Sequence, residues 1–234
     1  ISISLSPNVQ KDDVALALKL LFQPWRWAGH KSAPASAIQQ LEDEFKNYLG
    51  VKYAVSFNSG RSSLYAILKA LEGSPSFAKA SEGRDVVLQA FTCNAVPNPV
   101  LWAGLNPVYV DCDNDFNAAS KVDIVQHTFG LPNEKFLNEN VIEDCAHALG
   151  AEINGKKVGT FGKAAFFSFA RDKVISCVYG GMAVTNNDEI GKKLQKLQTE
   201  FGQPSLFWTR QQIIHPVLLW FIILPLYNFL DLGK

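Results

Sequence analysis

Three stretches of the chain combine residue types that could do chemistry. Asn58-Ser59-Gly60-Arg61-Ser62-Ser63 leads into the helical run Leu64, Ile67, Leu68 and Leu71. A helix start offers unpaired amides and the positive end of a dipole, and Gly60 lets a ligand approach the backbone. Arg61, Ser62 and the other hydroxyls add donors, so this stretch can hold an anion such as a phosphate. The ordinary structural explanation is a serine N-cap after a glycine turn. Neither the Gly-x-Gly-x-x-Gly spacing nor a Gly-Lys-Ser/Thr loop is present, which speaks against a dinucleotide or a nucleoside triphosphate. The second stretch, Val141-Ile142-Glu143-Asp144-Cys145-Ala146-His147, runs from apolar residues into a carboxylate at the end of a strand. Ligands of open α/β sheets sit beyond the carboxyl ends of strands, so Asp144 should face a crevice, with His147 on the same face if a helix begins there. Alternatively Asp144 caps a helix and His147 is bonded within the core. The third, Ala164–Phe169, is a buried strand that delivers Ser168 and then Lys173 ahead of Gly180-Gly181. Taken alone, such a lysine is ordinarily a solvated side chain.

Jointly the three carry more weight. An anion cradle (Gly60, Arg61, Ser62), a strand-end carboxylate (Asp144) and a lysine (Lys173) on separate crossovers are the parts that pyridoxal 5'-phosphate (PLP) chemistry needs. Lys173 would form the Schiff base, Asp144 would keep the pyridine nitrogen protonated, and the cradle would fix the phosphate. Lys173 and Asp144 are thus the expected catalytic pair, and no metal ligands are assigned.

The elements that must position these residues read as α/β. Helical spacing covers Asp13–Phe22 and Ile38–Leu49, separated by an aromatic loop, Pro24 to His30, that holds Trp25, Arg26 and Trp27. Seven strands are expected, at Tyr53–Phe57, Val86–Gln89, Pro107–Val110, Asp123–His127, Val141–Asp144, Ala164–Phe169 and Met182–Thr185. Their alternation with helical patterns implies crossovers and a mostly parallel sheet covered on both faces, a three-layer α/β/α arrangement. Residues 73–83, rich in serine, read as a surface loop. Residues 1–50 form an N-terminal helical segment, 51–200 the large domain and 201–234 an apolar C-terminal segment.

Among the 234 residues, 22 Lys and Arg balance 22 Asp and Glu, so nothing draws the chain to a nucleic-acid backbone. Cys93, Cys112, Cys145 and Cys177 form no CxxC pair and read as reduced thiols of a cytoplasmic protein, and the first residues lack a secretion signal. After the polar helix that starts at Asp188, residues 213–230 contain no Lys, Arg, Asp or Glu. As a helix this segment would be about 27 Å long at ~1.5 Å per residue, close to a ~30 Å bilayer core but interrupted by Pro216 and Pro225. Contact with a membrane, burial in a dimer, and packing against a further C-terminal part all remain open for it.

The order and local sequence of these motifs resemble the sugar aminotransferases of the DegT/StrS type, within the fold-type I PLP superfamily. The resemblance runs from about Phe22 to Asn187. It is carried by Leu41–Phe45 with Tyr48-Leu49-Gly50, Asn58-Ser59-Gly60, Ala90-Phe91-Thr92, Ala103–Asp111, Ile142–Ala151, Val158–Gly162, Phe167-Ser168-Phe169 with Lys173, and Gly180-Gly181. It implies that Lys173 is the Schiff-base lysine, Asp144 the partner of the pyridine nitrogen and His147 a neighbour of the ring. Gly60, Arg61 and Ser168 fall where the family holds the phosphate, with Arg61 in place of a more usual threonine. The seven strands would be the mixed sheet of the PLP-binding large domain, Met182–Thr185 its antiparallel member. Other implications are an amino-acid donor, a keto (nucleotide-)sugar acceptor, a homodimer with shared sites, and a small C-terminal domain that the chain does not include. Departures are Cys93 where an aromatic ring usually stacks on the cofactor, leaving Phe91 as a substitute, and Val174 and Val178-Tyr179 after the lysine. The expected Gly-Tyr-Asn-x-Arg stretch gives way to the apolar segment. Two other functions stay open: a catalytically weakened or membrane-associated homologue, and a PLP-dependent keto-sugar dehydratase, whose relatives carry histidine in place of Lys173.

Overall fold

The computed structural model describes residues 9–27, 37–72 and 83–226, so His30 and most of the expected 73–83 loop lie outside the described residues. Helices α1 (Lys11–Leu21) and α2 (Ala37–Leu49) precede β1 (Tyr53–Phe57), α3 (Gly60–Leu71), β2 (Asp85–Gln89), α4 (Pro97–Trp102) and β3 (Asn106–Val110). Then come β4 (Ile124–Gln126), β5 (Ile142–Asp144), a small hairpin β6 (Glu152–Ile153) and β7 (Lys156–Lys157), β8 (Ala164–Ser168) and β9 (Gly181–Thr185). Helices α5 (Asp188–Phe201) and α6 (Leu206–Leu218) follow.

All seven expected strands are present. Five form one ladder in the order β1-β9-β8-β5-β4, and β2 and β3 pair separately as a parallel two-stranded sheet. The two pieces meet at Asp123, whose amide donates to Val87 O (2.8 Å) while its carboxylate accepts from the Val87 amide (2.9 Å). A side-chain acceptor thus stands where a backbone carbonyl would continue the ladder. Strand β9 runs antiparallel to both β1 and β8, whereas β8, β5 and β4 are parallel. The connection fits this: a parallel neighbour needs a crossover, usually a helix, and β8 reaches β9 through residues 169–180, a loop that carries Lys173 and contains no helix. The β6–β7 hairpin was not anticipated, although Asn154-Gly155, both at positive φ, is the dipeptide that closes such a turn.

Two cores flank the sheet because side chains alternate along each strand. Ala164, Phe166 and Ala183 face α3, α4 and α5, packing on Leu64, Ile67, Leu68 and Leu194. Ala165, Phe167, Met182 and Val184 face the other way, onto Phe45 and Leu49 of α2. The hydrophobic run of β8 is therefore apolar on both faces, as a central strand requires. Helix α3 is capped by Ser59, whose Oγ accepts from the Ser62 amide (3.1 Å).

The start of α3 is pressed onto β9. A Cβ at Gly181 would lie within 2.5 Å of Gly60 N and Ser59 O, so no larger residue can stand there. Gly181→Ala should push α3 off the sheet and destabilise the chain by about 2 to 3 kcal/mol, read as a lower urea midpoint; an unchanged midpoint would mean that this approach is not tight.

Candidate active site

Beyond the carboxyl ends of β5 and β8 lies a cleft of about 580 Å³. Every residue singled out in the sequence, Gly60, Arg61, Ser62, Asp144, His147, Ser168 and Lys173, lines it. Its anionic end is the start of α3. The first intrahelical bond there runs from the Ser63 amide to Ser59 O (3.0 Å) and Ser59 Oγ takes the Ser62 amide, so the Gly60 and Arg61 amides are the helix-start donors that precede them. Ser62 Oγ donates to Asn58 Oδ1 (2.6 Å), which ties the hydroxyl to the preceding loop. Ser168, at the end of β8, faces Gly60 so closely that a Cβ there would sit 2.9 Å from the serine Cβ. Arg61 is exposed at the rim.

Asp144 ends β5, and its side chain is buried. Oδ1 accepts from the Ala146 amide (2.9 Å), which turns the chain at once, so no helix begins here and the expected helical relation of Asp144 to His147 is replaced by a series of turns. Burial pushes the Asp144 carboxyl up to about 6, against the pull of the Ala146 amide and of nearby positive charge including Lys173. Lys173 reaches into the cleft from the β8–β9 loop with its side chain 14% exposed, and Nζ lies 2.7 Å from His147 Nε2. Burial, and then the lysine charge, lower the pKa of His147, which leaves the imidazole neutral and able to accept from the ammonium. Phe129 stacks on the His147 ring with centroids 6.2 Å apart.

Behind β5, Glu143 is completely buried and accepts from the amides of Gly159 (2.7 Å), Phe161 (2.8 Å) and Gly162 (2.7 Å). Its Oε2 lies 3.3 Å from His127 Nε2, and His127 Nδ1 accepts from the Asn133 amide (3.0 Å). His127, Glu143 and Cys145 are close enough to share an ion. The ring nitrogens of His127 and both oxygens of Glu143 are already engaged in these bonds, and burial holds the Cys145 thiol well above its usual range, so the cluster reads as structural.

Sequence reasoning missed Tyr179 and Trp208, which form one wall of the cleft, and Trp102 on another. Tyr179 appears in the sequence only as a departure after the lysine and Trp208 lies in none of the motifs, so no motif pointed to them. Cys93 lines the cleft, whereas Phe91 packs on Phe116 (centroids 5.0 Å apart) and Phe129 (6.0 Å) and is absent from the lining. Of the aromatic loop, Trp25 is exposed and Trp27 lines an adjacent groove together with Trp208. All four cysteines are unpaired.

A mixed sheet with one antiparallel strand, opened at its carboxyl edge onto a lysine, a buried aspartate and a helix start, is the large domain of the PLP-dependent transferases. Within that class the chain belongs to the DegT/DnrJ/EryC1/StrS aminotransferase family, whose model matches residues 28–126 and 137–213. It is 36% identical over 179 residues to the UDP-N-acetyl-3-dehydro-alpha-D-glucosamine 3-aminotransferase of Acidithiobacillus ferrooxidans, covering 68% of this chain and 47% of that one. Two solved structures share the fold. One is Helicobacter pylori PseC, an aminotransferase involved in the biosynthesis of pseudoaminic acid (TM-score 0.68, 22% identity, 92% of this chain and 64% of the other). The other is E. coli GDP-4-keto-6-deoxy-D-mannose-3-dehydratase, with bound hydrated PLP (TM-score 0.66, 23% identity, 82% and 53%). The chain spans about half the length of the curated relatives it matches. PLP is the cofactor of this class, and the cleft fits it. The tight approach of Gly60 to Ser168 builds a cradle that a side chain would fill, and a buried carboxyl poised near neutrality suits a pyridine nitrogen.

The raised Asp144 pKa has a definite sign. Its contribution to stability is fully present below the unfolded value of ~4 and is lost as pH rises through about 6. In the cofactor-free chain Asp144→Asn should therefore stabilise at pH 7.5, by up to roughly 3 kcal/mol, and make little difference at pH 4. Urea denaturation at the two pH values measures this, and equal midpoints of the two proteins at pH 7.5 would refute it.

Proposed function

We propose that this chain forms the cofactor-binding part of an aminotransferase that moves an amino group from an amino-acid donor to a keto group on a nucleotide-linked sugar. The single observation that supports it most is the convergence of Lys173, Asp144 and the α3 start on one cleft. When bound, PLP supplies an aldehyde that condenses with amines and a ring that takes up the electron pair released at the substrate carbon. The Gly60 and Arg61 amides, with Ser168, would bind the phosphate. The Asp144 carboxylate would hold a proton at the ring nitrogen, and its burial strengthens that pairing once the partner is cationic. Lys173 Nζ would carry the cofactor covalently and, when released, move the proton at the reacting carbon. His147 Nε2, 2.7 Å away, is placed to accept from that amine and hold its direction.

The donor and sugar follow from the family relationship. The chain's similarity to a GDP-perosamine synthase and to the UDP-N-acetyl-3-dehydro-alpha-D-glucosamine 3-aminotransferase supports a nucleotide-linked acceptor. We also read the working unit as a homodimer. Among the described residues no helix is long and apolar enough to cross a membrane. The α6 segment and its continuation nevertheless expose Phe207, Leu218, Phe221, Ile222 and Leu226, surface that suits a partner subunit or the face of a bilayer. Lys173 disfavours the dehydratase reading.

Lys173→Ala should abolish covalent retention of PLP after borohydride reduction, followed by peptide mass, and lower amino transfer by about 10² to 10⁴-fold. Label found on another lysine, or a wild-type chain that dissolves only in detergent and takes up no PLP, would turn the reading toward a cofactor-free homologue.

A further inference from the structure

The loop between β8 and β9 bears Lys173 and has little core of its own. Val174 and Ile175 are exposed, and its backbone ties are few: the Lys173 amide to Ala170 O (3.1 Å), the Cys177 amide to Phe169 O (2.8 Å) and the Phe169 amide to Gly180 O (2.9 Å). Val178 adopts φ 66, a conformation that a β-branched side chain rarely takes, and it is buried there. Such a conformation persists only where the surroundings impose it. Gly180 is held by its pairing with Ser59, and the contact next to Val178 comes from α6. Tyr179, the residue after Val178, packs its ring on Trp208 with centroids 5.4 Å apart, and the Arg171 guanidinium lies 5.5 Å from the centre of the same Tyr179 ring. Arg171 precedes Lys173 by two residues and Tyr179 follows it by six, so the loop is gripped on both sides of the lysine. Arg171 also bears on α6 directly: its charge, after burial, lowers the pKa of His215, about two turns beyond Trp208 on the same face of that helix. Ser205 caps α6 by accepting from the Trp208 amide (3.2 Å), which places the indole at the rigid first turn.

We propose that Trp208 is a positioning residue for Lys173: by holding Tyr179, and through it Arg171, it sets the loop conformation that directs Nζ to His147 and into the cleft. The proposal rests on the reading of Lys173 as the cofactor-bearing amine, and it makes the first turns of α6 a part of the site's framework. The seating of the apolar segment that continues α6 would then bear on the lysine without touching it.

Two measurements test this on wild type, Trp208→Ala and Trp208→Phe. Competitive labelling with acetic anhydride between pH 6 and 11, read by peptide mass, reports Lys173 with no cofactor present. Covalent attachment of PLP, compared with affinity for pyridoxine 5'-phosphate, which has the ring and phosphate but no aldehyde, separates placement of the amine from formation of the cleft. Trp208→Ala should change the Lys173 labelling profile and slow attachment about tenfold, the scale of one lost aromatic contact. The loss of attachment should clearly exceed any loss of pyridoxine phosphate affinity, and Trp208→Phe should recover most of it. Unchanged labelling and attachment in Trp208→Ala would overturn the proposal, as would an equal loss of pyridoxine phosphate, which would make Trp208 merely a wall. A wild-type chain that attaches no PLP would defeat the proposed function instead, and the labelling comparison would then decide on Trp208 by itself. If Trp208→Ala does not fold, Tyr179→Leu poses the same question from the loop side with α6 intact.

Discussion

The site depends on one close approach of bare backbone. The first turn of α3 rests directly on Gly181, where β9 begins, and Gly60 rests on Ser168, where β8 ends. Those two contacts fix the helix start against the two strand ends between which the lysine loop is strung. With a side chain at either glycine, the donors of α3 and the amine of Lys173 could not share a cleft. The antiparallel course of β9 belongs to the same constraint, because it starts at the end where β8 finishes and so sets Gly181 beside Ser168 beneath α3.

A second layer of organisation is electrostatic. Strand β5 places two carboxylates on successive residues, and alternation sends them to opposite faces. Glu143 meets three amides and an imidazole, so its requirements are met within the fold. Asp144 receives one backbone amide through Oδ1 and otherwise opens onto the cleft, which is why burial raises its proton affinity. The contrast separates a structural acid from one suited to a cationic ligand, a distinction invisible in the string Glu143-Asp144.

The sheet and most of the site were legible because their signals are local. Seven runs of β-branched and aromatic residues marked the strands, and Gly60, Asp144 and Lys173 stood at strand ends where ligands collect. Legibility failed where geometry overrode pattern. His147 reaches the cleft through turns rather than a helix, because the Asp144 side chain takes the Ala146 amide and redirects the chain. The seven-stranded ladder is interrupted because the Asp123 carboxylate acts as a strand would, and no periodicity reports that. Tyr179 and Trp208 lie 29 positions apart and meet only through the packing of α6, so sequence spacing could not join them. The Asn154-Gly155 hairpin, in contrast, was a readable signal that went unread.

The joint at Asp123 gives the cleft walls of unequal compliance. Lys173, His147 and Asp144 belong to the continuous five-stranded ladder and its loops, whereas Cys93, Val96 and Trp102 follow β2 and α4, which join that ladder mainly through side-chain hydrogen bonds (Asp123 to Val87, Gln89 to Thr128, Thr92 to Gln126) rather than a backbone ladder. Elements tied by fewer backbone bonds open at lower free energy than a sheet centre. Lys173 and Asp144 therefore hang from one continuous backbone ladder, while the opposite flank of the mouth is held to it chiefly by side chains.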